Sequence, residues 1–219
     1  MLNKEITRLK KSLIEYAGLV EKMIDKSIKG LLQKDEDILR EVEQQDEPKA
    51  NIFEIELEEQ CMILIAKYQP RAKDLRVILR IDQMNNDLER MGDLAVNIVE
   101  SGLFLIQRPL LKPLIDIPKM GEITMQMVKD SIDSFVKEDA ELAKNVCRRD
   151  QVIDDIKDQI QRQLFTYIAS KPDSIEMAFH LIRIANSLER IGDLSTNICE
   201  DVIFIVNGRV IKHHRDGNQ

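Results

Sequence analysis

Apolar residues recur three and four positions apart along most of this chain, and only a few places interrupt the pattern. Leu9, Leu13, Tyr16, Val20, Met23 and Ser27 share one stripe, which predicts a helix over about residues 3–33. Asp35 to Asp37 break it. A second helix is expected from there to about Tyr68, carrying Leu39, Val42, Ile52, Ile55, Cys61 and Ile65, with a kink at Pro48. Pro70 takes a first-turn position and opens a third helix to about Gln107, with its seam at Ile81, Met84, Leu88, Met91, Ala95 and Ile98.

Pro109, Pro113 and Pro118 then crowd one short stretch, the expected boundary between a first unit, 1–110, and a second, 111–219. Beyond it the pattern starts again. Helix four is expected to reach about Val136, helix five to run over about 139–170, and helix six over about 173–206. Helix six has its seam at Leu181, Ile184, Leu188, Ile191, Ser195, Ile198, Val202 and Ile205. The polar end GRVIKHHRDGNQ reads as a frayed tail. Several helices would be ~45–50 Å long at 1.5 Å per residue. Long amphipathic helices on short connections form up-down-up bundles. The expected fold is all-α: a tandem duplication of a three-helix bundle, six long helices in total.

A repeated stretch carries the duplication. Residues 88–94 read LERMGDL and residues 188–194 read LERIGDL; over Leu88–Glu100 and Leu188–Glu200, nine of 13 positions agree. Chance gives roughly one. Around the helix, Asn86, Glu89, Asp93 and Asn97 fall together, away from the apolar seam, and so do Asn186, Glu189, Asp193 and Asn197. Glu89 and Asp93 are one turn apart, as are Glu189 and Asp193. Like charges at that spacing destabilise a helix by a few tenths of a kcal/mol, and a cation between them reverses the sign. Carboxylates suit Mg²⁺, Mn²⁺, Fe and Zn²⁺. The preceding helix offers a facing strip, Asp150 and Asp154 in the second half, Glu47 and Asn51 in the first, with Glu54 and Glu58 further along. Gly92 and Gly192 sit between seam and strip. A mid-helix glycine costs ~1 kcal/mol against alanine, so a close approach of the neighbouring helix is expected there. The plain alternative is a solvated acidic face.

Composition removes other classes. The 219 residues carry a net charge of −7, no Trp, six Phe and three Tyr. An acidic chain does not neutralise phosphates, which argues against nucleic acid as a partner. Cys61, Cys147 and Cys199 form no CxxC pair, which argues against a zinc knuckle or a disulfide framework. The start MLNKEITRLKK lacks a signal-like apolar run, and no stretch nears the ~20 apolar residues of a membrane span. A soluble, cytoplasmic chain without membrane insertion is expected. His180, His213 and His214 complete no Glu-x-x-His motif; His180 reads as a packing or surface residue. Arg76, Arg90 and Arg190 read as partners of nearby acids. No phosphate loop, nucleophile elbow or HExxH is present, and no enzyme is expected.

LERMGDLAVNI and LERIGDLSTNI, each preceded by an acidic strip, resemble the paired signatures of the PhoU family, and YQPRAKDLRVIL at 68–79 resembles its first-half pattern. The resemblance spans nearly the whole chain. It implies two similar three-helix bundles and a cytoplasmic negative regulator of phosphate uptake and of the phosphate-starvation response. Such a regulator bridges a phosphate ABC transporter ATPase and a sensor histidine kinase. It also implies iron or zinc on E/D-xxx-D motifs, here Glu89 and Asp93, Asp150 and Asp154, Glu189 and Asp193. Glu47 with Asn51 departs from that pattern by one charge, which implies a weaker first-half site. The repeat, rather than the resemblance, makes Asn97 and Asn197 candidates to hydrogen-bond the ligating carboxylates, and a homodimer is expected of an elongated bundle pair. Metal storage and a purely structural helical module are the rival functions.

Overall fold

The computed structural model describes residues 1–109, 111 and 114–207. Pro113 of the proline cluster and the tail from Gly208, with His213 and His214, lie outside the described residues. Within them the chain forms helices α1 (Leu2–Gln33), α2 (Glu36–Glu41), α3 (Glu47–Tyr68), α4 (Ala72–Ile106), α5 (Asp116–Lys137), α6 (Ala140–Cys147), α7 (Asp150–Ser170) and α8 (Ile175–Asn207), and no strand. Among the described residues, no helix is long and apolar enough to cross a membrane, and the three cysteines are free.

The same local device turns the chain in each half. α1 ends at Lys34 in the left-handed region (φ 55°), whose N–H reaches the Gly30 and Leu31 carbonyls, and the Asp35 side chain then accepts from the Ile38 N–H to cap α2. α5 ends likewise at Glu138 (φ 50°), and Asp139 accepts from the N–H groups of Glu141 and Leu142 to cap α6.

The second rod, expected to kink at Pro48, loosens just ahead of it, and the fifth, expected to be continuous, is interrupted. A π turn, Val42–Asp46, separates α2 from α3. It brings Pro48 into the first turn of α3, where no backbone N–H is required. The fifth helix is also interrupted, at Arg148 and Arg149, so that α6 and α7 replace it. Each break is pinned to the first helix of its half by an ion pair. Lys26 on α1 lies 2.5 Å from Asp46 and 2.6 Å from Glu41. In the second half Arg149 lies 2.5 Å from Asp130 on α5. Lys26 corresponds to Asp130 and Asp46 to Arg149, so the two halves make the same contact with the charges exchanged.

The expected stripe of the second helix is corrected at Ile52 and Ile55. Both are exposed, because they fall out of phase with Ala50, Leu57, Cys61 and Leu64, the buried face of α3. The expected seams of helices one, three and six are buried throughout. Each half packs as a three-rod bundle, α1 with α3 and α4, and α5 with α7 and α8. The halves do not hang separately. α4 packs along α8 and α1 against α5, giving one six-rod body. Leu94 and Leu194 are buried. Arg80 meets Asp201 at 2.7 Å and Arg183 meets Glu100 at 2.6 Å across the α4–α8 seam. His180 stacks on Phe104 at 4.0 Å, as a packing residue.

Asp46 is 2% exposed. Removing Lys26 leaves that carboxylate buried, with only Lys49 at 4.0 Å. The Lys26→Met variant is expected to lose about 3 kcal/mol in urea unfolding, and Lys26→Met with Asp46→Leu to regain most of it.

Candidate functional site: two acidic grooves

The breaks decide where the acidic strips begin. Glu47 is the first residue of α3 and Asp150 the first of α7. Each therefore stands at the top of a rod lying beside α4 or α8, level with the repeated motif.

In the first groove Glu47 is half-buried and faces Asp93, with Glu43 and Glu100 beyond. Its carboxyl is held above the ordinary range first by burial, then by those charges. Glu89 is raised by burial, by Asp93 and by Glu54, and in its protonated form it donates a hydrogen bond to Asp93. Beneath lies Tyr16 of α1, fully buried and stacked on Phe53 with ring centroids 5.8 Å apart. Burial, followed by Glu89, Glu54 and Asp93, drives its hydroxyl well above the usual phenol range.

The second groove gathers Asp150, Asp154, Glu189 and Asp193. The Asp193 carboxyl is pushed up to about 6, first by partial burial, then by Glu189, Asp150 and Asp154, with Lys157 opposing. The residue still reaches solvent, so salt screens part of this. Lys157 was not foreseen. Its ammonium bridges the groove, 2.7 Å from Glu189 and 3.1 Å from Asp154. Burial works against its charge, and hydrogen bonds to Glu189 and Asp154 outweigh that. If 47 and 51 match 150 and 154, then 54 matches 157, so the first groove holds Glu54 where the second holds Lys157.

Other expected residues go elsewhere. Asn51 is exposed on α3. Asn97 accepts a hydrogen bond from Arg183 of α8, and Asn197 hydrogen-bonds Asp87 of α4, so both belong to the α4–α8 seam. Asp87 is itself pushed up to about 6, by burial and then by Asp201. Among the described residues, no three acidic, histidine or cysteine side chains converge closely enough to hold an ion as they stand.

The glycines are corrected. A Cβ on Gly92 would meet only Met23 Cε, at 3.7 Å, and one on Gly192 would meet Ile153 Cδ1 at 3.4 Å. These are ordinary contacts with the ends of flexible side chains, so no close backbone approach demands glycine at either place.

The class these observations define is a duplicated three-helix-bundle protein with one acidic groove in each half. The family model described as the PhoU domain matches residues 13–102 and again 117–202, and the chain belongs to that family. It is 39% identical to the phosphate-specific transport system accessory protein PhoU homolog of Aquifex aeolicus, over 97% of this chain and 96% of that one. It is 31% identical to the phosphate-specific transport system accessory protein PhoU of Escherichia coli, over 96% of this chain and 87% of that one. The crystal structure of PhoU from Pseudomonas aeruginosa superposes with a TM-score of 0.92 at 31% identity, covering 95% of this chain and 100% of that chain.

Two expectations follow from the grooves. Gly92→Ala is expected to raise unfolding stability by about 1 kcal/mol, read by urea melts. The raised carboxyls bind more protons in the folded than in the unfolded chain. Their contribution therefore falls as pH rises from the ordinary aspartate range to about 6. Asp193→Asn is expected to melt higher than the parent at pH 7.5, and the gap should shrink as pH drops below that window.

Proposed function

We propose that this chain is a negative regulator of phosphate uptake and of phosphate-starvation signalling. It works as a helical adaptor between a phosphate ABC transporter ATPase and a sensor histidine kinase. In this reading it is a cytoplasmic, non-enzymatic homodimer of two-unit chains, 1–110 and 111–219, with metal on its acidic strips. Similarity along nearly the whole chain to proteins named as accessory to phosphate-specific transport supports the phosphate role.

The observation that carries the metal part is the pair of grooves. Carboxylates are gathered at the same place in both halves, at an electrostatic cost that a cation would relieve. The donors are all oxygen, which fits Fe, Mn²⁺ or Mg²⁺ and admits Zn²⁺. The fit differs between the halves. In the second, a cation must displace the Lys157 ammonium from Asp154 and Glu189. The first has Glu47, Glu54, Glu89 and Asp93 with no lysine between them, so it is the stronger site here, despite Asn51. A bound cation would neutralise the groove and leave a position for a partner's carboxylate or phosphate.

The test is metal content and thermal melting before and after chelation. It compares the parent with Glu89→Gln, Asp93→Asn and with Asp150→Ala, Asp193→Ala. Loss of most metal in the first double variant, and a lower melting point after chelation, are expected. Pull-down of the kinase and the ATPase, with and without chelator, checks the adaptor role. No bound metal with unchanged melting would leave the grooves as docking surface alone.

A further inference from the structure

The outer face of α3 is apolar where the fold does not require it. Ile52, Ile55, Met62 and Ile63 are 56, 60, 56 and 52% exposed. At about 100° per residue they line one stripe roughly three turns long. The buried face of the same helix is Ala50, Leu57, Cys61 and Leu64. Single exposed apolar residues are ordinary, but four on one face of one helix, in two pairs either side of Glu59, mark an interaction surface.

The duplication supplies an internal control. With 47 matched to 150, the core positions Ala50, Leu57 and Cys61 fall on Ile153, Ile160 and Leu164, which are also buried. In that register Ile52, Ile55, Met62 and Ile63 correspond to Asp155, Asp158, Phe165 and Thr166, all exposed. The same place in the same bundle thus accepts two aspartates and a threonine. Packing within the chain does not account for the α3 stripe.

We propose that this stripe docks an amphipathic helix of a partner protein whose own apolar face is bordered by Lys and Arg. Charge selects that occupant. Glu59 lies within the stripe, and Glu56 and Glu58 border it, all exposed. A second copy of α3 laid antiparallel would set Glu58 and Glu59 against their own copies at the centre of the contact. An anionic lipid surface would be repelled in the same way. The inference rests on the adaptor reading in that it gives one partner its seat.

The probe is a labelled synthetic helical peptide of about four turns, with leucines on one face and lysines beside them. It is titrated by fluorescence anisotropy against the full chain. Ile55→Ser with Met62→Ser is expected to weaken binding by about tenfold or more, while Phe165→Ser on the matching face of α7 leaves it unchanged. Replacing the peptide's lysines by glutamates is expected to abolish binding. Unchanged melting of the variants shows that the fold is intact. Equal binding to parent and Ile55→Ser, Met62→Ser overturns the proposal. So does a dimer, seen by sedimentation, that the same variant dissociates, since the stripe would then belong to a second copy. Capture of the kinase and ATPase by parent and variant alike, without peptide binding, removes the stripe and keeps the adaptor. Peptide binding at the stripe with neither protein captured does the reverse.

Discussion

The packing of α4 along α8 is the contact on which the remaining arrangement depends. Each of these helices must also serve its own bundle, α4 against α1 and α3, α8 against α5, α6 and α7. Helices so surrounded keep only a narrow strip for solvent. The buried residues of α4 include Asp87, Leu94 and Ser101 on the seam side as well as Leu88 and Met91 on the bundle side. The seam side takes charge only with partners, as Arg80 with Asp201 and Arg183 with Glu100, whereas Glu89 and Asp93 stand on the strip that faces α3. The same reasoning holds for Glu189 and Asp193 on α8.

The facing strips depend on a second constraint, the interruption of the second rod of each bundle. A long straight helix fixes the phase of every residue from its first turn. A π turn in one half and a two-residue turn in the other shift that phase, so Glu47 and Asp150 open α3 and α7 beside the motif. The ion pairs Lys26–Asp46 and Asp130–Arg149 hold the breaks in place. Their exchanged charges mean that the geometry is kept while neither residue type is. What the two halves share is a pair of opposite charges across α1 and the break, or α5 and the break.

Much of this was legible in the sequence, because burial has a period. The seam from Ile81 to Ile98, and its counterpart from Leu181 to Ile205, lies in the core as the spacing required. The acidic members of the repeated motif lie off that seam, as the helical angle required. Periodicity reports that a face is covered, however, and not by what. Asn97 and Asn197 shared a flank with the acids on paper, yet they turn to the seam between the halves, which no single-helix pattern encodes. Ile52 and Ile55 misled for a related reason: α3 is apolar on two faces, so its period points both ways. The π turn carries no residue signature beyond a proline that it moves into a harmless place. Lys157 was within reach, since aligning the halves through their acids puts it opposite Glu54.

That last correspondence separates the two grooves more than the missing charge at Asn51 does. A lysine three residues after Asp154 is close to two carboxylates at once and neutralises them from within the fold. A glutamate at the matching place adds to the field and lifts Glu89 and Tyr16 instead. One bundle thus carries a lysine among its groove carboxylates, while the matching place in the other holds a further acid. The apolar stripe follows the same division. It lies on α3, beside the lysine-free groove, and the matching face of α7 carries Asp155, Asp158 and Thr166, with Phe165 its one apolar member at the four matched places. Duplication kept the scaffold in both halves and set the lysine-free groove and the α3 stripe together on the first. If the chain works by holding partners, the two halves are not equivalent hands: the second completes the body, and the first presents the surface to be covered.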